Sequence, residues 1–586
     1  MRILDERRRD AGVLDEGARR RRAAGAVRKR VRDRLGRTPA APAARRLLAR
    51  IRRLSLVWLI LLPIALLAIV TLGMQLLGIV GWDAPAHVYK IALLREHQSI
   101  FWDNNWYGGA YQIISYGFIF YYLAQYVSYH AIVVVSTGLL PLFFYLYSRK
   151  IYGVTSYWPA IVLAIVLAVY LSNGQDPFLF AMSFMFLGMV LLAHRRPLLA
   201  ALPVALSLFA NPIALIVGGV FLLSDFIARS DLRRPYLRFA LYVTPFFVAR
   251  VAIMLLFYEQ SSYIYYSPQV LLFVGFTLAG FVLARVSLDP DRRAKEILFL
   301  TFAVAAVLTA LIPQNPVGGN IGRVFFLFGV SLLLNVRRVF LPKYVTVPVV
   351  VGFAFGQLLM PVMHYAHVAE LPSTRAAFFT PALDFAAEHA DPDYRFHVVA
   401  LDTHWEAYYF SVNGFPITRG WYRQEDALHN AIFDNNAFTA AQYVGWLRLM
   451  GVKYVFLPHA PLDFSGARET QFLATSPEFT RVSSGAQWTV YRVADPQPMA
   501  VPLSPAYGRA TVLALQHQAI YLSIPHPGTY LVKITYSPYW QVTDGVGTLR
   551  RGPNDFLVLH AEGSGLYGIQ VMVSLESSLR RMVRAF

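Results

Sequence analysis

Asp83 opens the stretch "WDAPAHVYKIALLREHQSIFWDNNWYGGAYQIISYG", just after the first long apolar run of the chain. A carboxylate at the mouth of a membrane bundle is costly to keep and suited to proton transfer, which makes it a functional candidate. It also has a plain structural use, because Asp before Ala84-Pro85 is a good helix N-cap with proline in the first turn. Ala84 to His97 is expected as a surface helix with Val88, Ile91 and Leu94 on its apolar face. His87 follows Asp83 by one helical turn, so the two share a side. Lys90 and Arg95 either line that site or form the wet face of the helix. Asp103, in "WDNN", is either an acidic contributor or a turn residue.

Other candidates are scattered further along. Asp176 ends the polar loop "NGQD", and Arg323 follows "PQNPVGGNIG" at the start of an apolar run. Arg323 either reaches an anion or snorkels to lipid headgroups. Arg250 sits inside an apolar run, which demands that it face protein or a water cavity, with Glu259 or Asp225 as possible partners. His404, Trp405, Glu406, Arg419, Trp421 and Arg423 crowd one short region, where tryptophan and arginine suit either sugar recognition or core packing.

The elements that must position these residues are membrane helices. Hydrophobic residues make up 56% of the chain and charged residues 15%, against about 25% charged in an ordinary soluble domain. Leu56 to Ile79 is long enough to span a bilayer, and it is read as an uncleaved first span. Further apolar runs lie at His130–Tyr147, Tyr157–Leu171, Pro177–Ala193, Leu198–Ala210, Ile213–Ile227, Phe239–Phe257, Val270–Ala284, Ile297–Ile312, Val324–Leu334 and Val345–Met360. That gives about 11 spans. Ile113 to Tyr129 is read as an interfacial or re-entrant segment.

Charge sets the expected orientation. Every second loop is basic, including Arg149-Lys150, Arg195-Arg196, Arg229 to Arg234, Arg292-Arg293 and Arg337-Arg338. The alternate loops, such as Glu259 to Ser267 and Pro313 to Asn320, nearly lack Lys and Arg. The positive-inside rule then places the amino terminus in the cytoplasm and everything after Met360 outside. Of the net charge of +20, +13 falls within Met1 to Arg53, ahead of the first span. No aromatic residues interrupt that tail for base stacking, so it suits anionic lipid and not nucleic acid. The chain contains no cysteine, which excludes disulfides and thiolate chemistry. It shows no serine-nucleophile elbow, P-loop or dinucleotide fingerprint.

From about Pro372 the pattern turns to short apolar strands among helices, and from about Ala500 to alternating strands with Gly/Pro turns. The expected fold class is therefore a polytopic α-helical membrane protein with C-terminal extracytoplasmic α/β and β-sandwich domains. The expected division is 1–55 basic cytoplasmic tail, 56–364 transmembrane domain, 365–499 α/β domain and 500–586 β-sandwich.

"GWDAPAHVYK", followed by "WDNNWYGG" and "YGFIFYYLAQYV", resembles the first extracytoplasmic loop of the GT-C glycosyltransferases. In particular it is similar to bacterial members with an extracytoplasmic C-terminal domain, some labelled as related to 6-pyruvoyl-tetrahydropterin synthase. The segments "THWEAYYFSVNGFPITRGWYRQEDALHNAIF" and "YVGWLRLMGVKYVFLPHA" resemble actinobacterial membrane proteins of similar layout. The GT-C resemblance implies a GT-C-like membrane domain and inverting sugar transfer from a polyprenyl-phosphate carrier to an envelope glycan or glycolipid. It puts the general base at Asp83. It implies binding roles for His87, Lys90, Arg95, Asp103, Asp176, Arg250 and Arg323, several of them toward the carrier phosphate. Trp405, Arg419 and Trp421 become acceptor contacts, and a divalent cation (Mg or Mn) is a possible helper although no strong metal-ligand spacing is present. The expected location is the bacterial plasma membrane. A non-catalytic envelope scaffold and a lipid-linked saccharide flippase remain alternatives.

Overall fold

The computed structural model describes residues 40–111, 117–257, 267–312, 318–433, 437–574 and 576–579. Expectations for most of the basic tail, for Glu259, for the start of Ile113 to Tyr129 and for much of the loop before Asn320 lie outside the described residues. Met1–Leu62 and Pro63–Phe586 form two compact units, and the candidate site lies wholly in the second.

Among the described residues, six helices are long and apolar enough to cross a membrane: Leu56–Leu77, Tyr129–Tyr152, Asp176–Ala193, Ser230–Leu256, Arg292–Leu311 and Lys343–Ala369. Five shorter apolar helices accompany them, such as Pro197–Ala210 and Pro212–Ala228. A helix of 14 residues is about 21 Å long, short of a bilayer core of about 30 Å. The expected 11 spans thus resolve, among the described residues, into six full-length helices and five shorter ones. Pro197–Ala210 and Pro212–Ala228 part at Asn211, whose backbone is extended and whose side chain accepts from Ile213 N–H at 2.9 Å. Phe118–Ala124, in the segment read as interfacial, is a helix of only 7 residues.

The bundle core is aromatic. Phe144, Phe186, Phe221 and Phe328 come from four different helices, with ring centroids 5.1 to 6.1 Å apart in five of their pairings. Such rings fill large volumes without polar atoms that would need partners.

The loops sort by charge, as the alternation requires. At one end, Arg229 donates to Ile151 O at 3.0 Å and lies 4.0 Å from Asp291. Arg195 meets Asp231 at 3.2 Å, and Arg337 reaches Thr155 at 2.6 Å. At the other end, Trp82 N–H donates to Ser172 O at 3.0 Å, Ser172 Oγ to Pro361 O at 3.2 Å, and Gly117 N–H to Ala210 O at 2.6 Å. Basic loops gather with basic loops, and cation-poor loops with one another.

The C-terminal part sits over the cation-poor end. Its first sheet runs β1 (Arg395–Val398), β2 (Val452–Pro458), β4 (Trp488–Val493), β3 (Phe479–Ser484), with β1 and β2 parallel. Helices such as Ala376–His389 and Ala440–Leu449 accompany it. Two four-stranded antiparallel sheets follow, ordered β10-β11-β8-β5 and β6-β7-β12-β9. They comprise β5 (Ala500–Pro502), β6 (Thr511–Leu515), β7 (Ala519–Ile524), β8 (Gly528–Thr535), β9 (Trp540–Asp544), β10 (Gly547–Arg551), β11 (Phe556–Ala561) and β12 (Gly565–Val571). Their inner faces follow the strand period of two: Ile520, Leu522 and Ile524 on β7, and Tyr530, Val532 and Ile534 on β8, are buried.

The aromatic segment 102–107 is the socket between the two parts. Trp106 Nε1–H donates to Ala407 O at 2.9 Å, Tyr107 OH to Tyr422 O at 2.7 Å, and Asn104 N–H to His517 O at 2.8 Å. Trp102, Trp106 and Tyr107 are almost wholly buried there.

Candidate active site

Two glycines fix the position of Asp83. A side chain on Gly81 would bring its Cβ within 2.4 Å of Gly174 Cα, and one on Gly174 would meet Asp83 N at 2.9 Å. Gly174 also holds φ of +65°, which favours glycine. The two loops therefore pack backbone against backbone, and Asp83 N–H donates to Asn173 O at 3.2 Å. Ala84–Arg95 then leads away as a helix, with Asp83 at its N-cap position but making no side-chain cap hydrogen bond. The capping use of Asp83 is not realised.

Its half-buried carboxylate lines a cavity of about 250 Å³ together with Arg323. Tyr170, Asn173, Gln175 and Asn320 contribute the polar part of the wall. Arg323 begins the helix Arg323–Leu334 after the turn Gly318–Gly322, its guanidinium 4.8 Å from the centre of the Phe178 ring. Among the described residues it joins no ion pair. Burial pushes the Asp83 carboxyl up to about 7, with Arg323 pulling it down and Asp176 adding to the rise. Both carboxylates and the arginine thus act within one electrostatic neighbourhood.

Asp176 accepts a hydrogen bond from Tyr129 OH and lines a second, larger cavity of about 430 Å³. Met74, Ile79, Val88 and Val133 make that wall largely apolar, while Asp176 and the Trp405 indole are among its polar-bearing members. His87 lies one turn beyond Asp83, its Nδ1 2.8 Å from Tyr121 OH. Burial, followed by the Lys90 charge, pushes the His87 imidazole down to about 3, so it is neutral at physiological pH.

The other candidates go elsewhere. Lys90 is buried between aromatic rings, 4.7 Å from Tyr422 and 5.5 Å from Tyr121. Arg95 is exposed and donates to Ala124 O at 3.2 Å. Asp103 is fully buried and accepts from Tyr89 OH at 2.7 Å and from Asn105 N–H at 3.2 Å, with His517 Nδ1 at 2.9 Å. Those contacts give Asp103 the turn-residue reading. Arg250 is buried in its helix and lines neither cavity, while Asp225 accepts from Tyr147 and Tyr236 at 2.8 Å each.

Arg419, grouped in the sequence with acceptor contacts, is committed to the protein. It donates to Asp426 and, at 2.9 Å, to Ser465 Oγ, with Glu469 3.6 Å away. Glu469 has no exposed surface, accepts from Tyr443 OH at 3.0 Å and lies 2.7 Å from His397 Nε2. Burial works to raise the Glu469 carboxyl, but His397 and Arg419 overcome it and hold it below the usual carboxylate range. Breaking a buried charge network of this kind costs about 3–5 kcal/mol. Glu469→Gln is therefore expected to lower the melting temperature markedly, and an unchanged thermal melt would contradict this reading. Trp421, by contrast, does reach the site, donating from Nε1 to Trp82 O at 3.3 Å.

Tyr170, Gln175 and Asn320 were not singled out from the sequence, although two of the three lie in cation-poor loops. The usable signal was polar side chains in loops that the charge alternation places on the Asp83 side.

The fold and site define a polytopic helical membrane protein with a strand-rich C-terminal part seated over the end that carries a carboxylate–arginine cavity. No protein-family model and no curated protein matches the sequence. Among solved structures, the chain is similar to arabinofuranosyltransferase AftD from mycobacteria, with 12% identity, a TM-score of 0.42 and coverage of 84% of this chain. The match spans 59% of the AftD chain. It is also similar to ArnT from Cupriavidus metallidurans bound to undecaprenyl phosphate, with 11% identity, a TM-score of 0.35 and coverage of 73% of this chain and 98% of that one. These likenesses are of outline, and the chemistry below rests on the cavity itself.

Proposed function

We propose that the chain is a GT-C-like glycosyltransferase that moves a sugar from a polyprenyl-phosphate carrier to a cell-envelope glycan or glycolipid, with inversion at the anomeric carbon. The observation that carries this reading is the shared Asp83–Arg323 cavity. Asp83 takes the proton of the acceptor hydroxyl as its oxygen attacks the anomeric carbon. The bond from that carbon to the phosphate oxygen breaks, and its electron pair leaves with the phosphate. Arg323 stabilises the charge that develops there. A carboxylate near 7 is well matched to this work, because it is basic enough to accept a proton and still substantially ionised.

A divalent cation bridging the carrier phosphate would need only one or two protein carboxylates, with the phosphate itself and water completing its shell. Asp83 and Asp176 are the two carboxylates of the site, Asp176 is engaged by Tyr129, and no group of three or more metal-ligating side chains occurs among the described residues.

The decisive experiment reconstitutes the full chain in lipid vesicles with labelled polyprenyl-phosphate sugars and an envelope-glycan acceptor fraction. A transferase forms a new glycosidic bond in a manner dependent on Asp83. A flippase moves the label across the bilayer without bond formation, and a scaffold does neither. Either of those outcomes sinks the proposal.

The reaction side follows from loop charge. The basic loops that gather at one end face the cytoplasm of a bacterial plasma membrane, and the Asp83 end with the C-terminal part faces out. A protease cleavage site placed in the exposed turn near Gly563 is expected to be cut from outside intact cells. Protection there, with cleavage only after lysis, would reverse the orientation.

A further inference from the structure

The segment Asp402 to Glu406, a turn running into the helix Trp405–Val412, leaves an unusual number of polar groups unmet. Asp402 Oδ1, Thr403 Oγ1, Trp405 Nε1 and Glu406 Oε2 are buried atoms without a hydrogen-bond partner, while His404 Nδ1 pairs with Glu406 Oε1 at 3.4 Å. Most buried polar side-chain atoms find one, so four exceptions within five residues ask for an occupant. Thr403, Trp405 and Glu406 are 6%, 6% and 3% exposed. His404 adds strain, holding φ of +52° without being glycine.

The turn is anchored beside the reaction site. His367 Nε2 lies 2.7 Å from Asp402 Oδ2, joining the turn to the last membrane helix. One turn earlier on that helix, His364 packs its ring 5.0 Å from Trp82, the neighbour of Asp83. His364 Nε2 is a further buried atom lacking a partner. Trp405 lines the larger cavity, which Asp176 also lines.

The unmet groups say what would satisfy them. Asp402 and Glu406 accept, the Trp405 indole N–H donates, and Thr403 does both. An anion would meet two carboxylates, and an acyl chain would leave every group unpaired. A divalent cation lacks the necessary set of ligands. Sugar hydroxyls both donate and accept, and the C–H face of a sugar ring stacks on indole. We infer that the Asp402–Glu406 turn is a saccharide-binding site that selects the acceptor glycan and leads it past Trp405 toward Asp83. This deepens the transferase reading and rests on it for the word acceptor, though not for the binding itself.

The test uses the full chain in nanodiscs and saturation-transfer NMR with methyl pentofuranosides, methyl hexopyranosides and short oligomers of each. At least one is expected to bind the wild type. Trp405→Phe keeps the ring and loses only the N–H, while Glu406→Gln keeps the shape and loses the charge. Each is expected to weaken binding about tenfold, the scale of one hydrogen bond to ligand. Thr403→Val serves if either fails to fold, with the same expectation. Absence of saccharide binding to the wild type, equal affinity in the folded turn variants, or ordered water alone in the turn would overturn the inference. Transfer that persists under any of those outcomes leaves the transferase reading standing. Saccharide binding without Asp83-dependent transfer overturns the reading of the reaction and keeps the site.

Discussion

Asp83→Asn is expected to lower kcat for sugar transfer by about 10²–10⁴-fold, the usual contribution of a positioned general base. The effect should fall on kcat and leave donor binding nearly intact, because the amide occupies the same volume beside Arg323. Stability gives the contrast that makes this informative. A residue serving only as a helix cap costs about 1 kcal/mol when lost and leaves chemistry alone. Asp83 makes no side-chain cap bond, so its replacement has no such cost. The folded-state value of about 7 lies above the ordinary 3.8, so ionised Asp83 works against the folded state at alkaline pH. The neutral amide removes that burden, and the melting temperature at pH 8 should hold or rise slightly. A variant that melts early but transfers sugar at the normal rate would return Asp83 to a structural role.

What the sequence disclosed was set by which forces act locally. Helix positions were legible because lipid demands long apolar runs, and the grouping of loops followed from charge alternation alone. Asp83 stood out because the stretch around it is short and chemically distinctive. Its pairing with Arg323 in one cavity joins residues 240 positions apart, and no periodicity reports such a contact. Arg419 shows the opposite failure. An arginine near tryptophans reads as a sugar contact, yet Asp426, Ser465 and Glu469 enclose it through packing that only the tertiary fold reveals. Lys90 likewise read as a phosphate ligand, and the rings of Tyr121 and Tyr422, from distant segments, take it instead. The partnerless atoms of Asp402 to Glu406 were invisible for the same reason, since sequence names polar groups but never says which ones go unmet.

Arg323→Gln is expected to cut kcat by about 10²–10³-fold, the scale of losing one preorganised charge stabiliser, and also to move the pH dependence in a direction fixed by the geometry. A general base works ionised, so kcat/KM should rise with pH along a limb centred near 7. Arg323 holds Asp83 below the value that burial alone would set, so its removal should carry the limb to higher pH. Asp176 does the reverse, because its negative charge disfavours ionisation of Asp83, and Asp176→Asn should carry the limb to lower pH. Two substitutions in different helices are thus expected to shift one titration in opposite senses. A generally damaged site lowers the rate without moving the limb, or moves it the same way in both variants. Opposite displacements, read from full pH–rate profiles of the reconstituted chain, require that both residues act on a single ionising base. A limb that stays in place in both would mean that Asp83 is not the group whose proton limits the reaction.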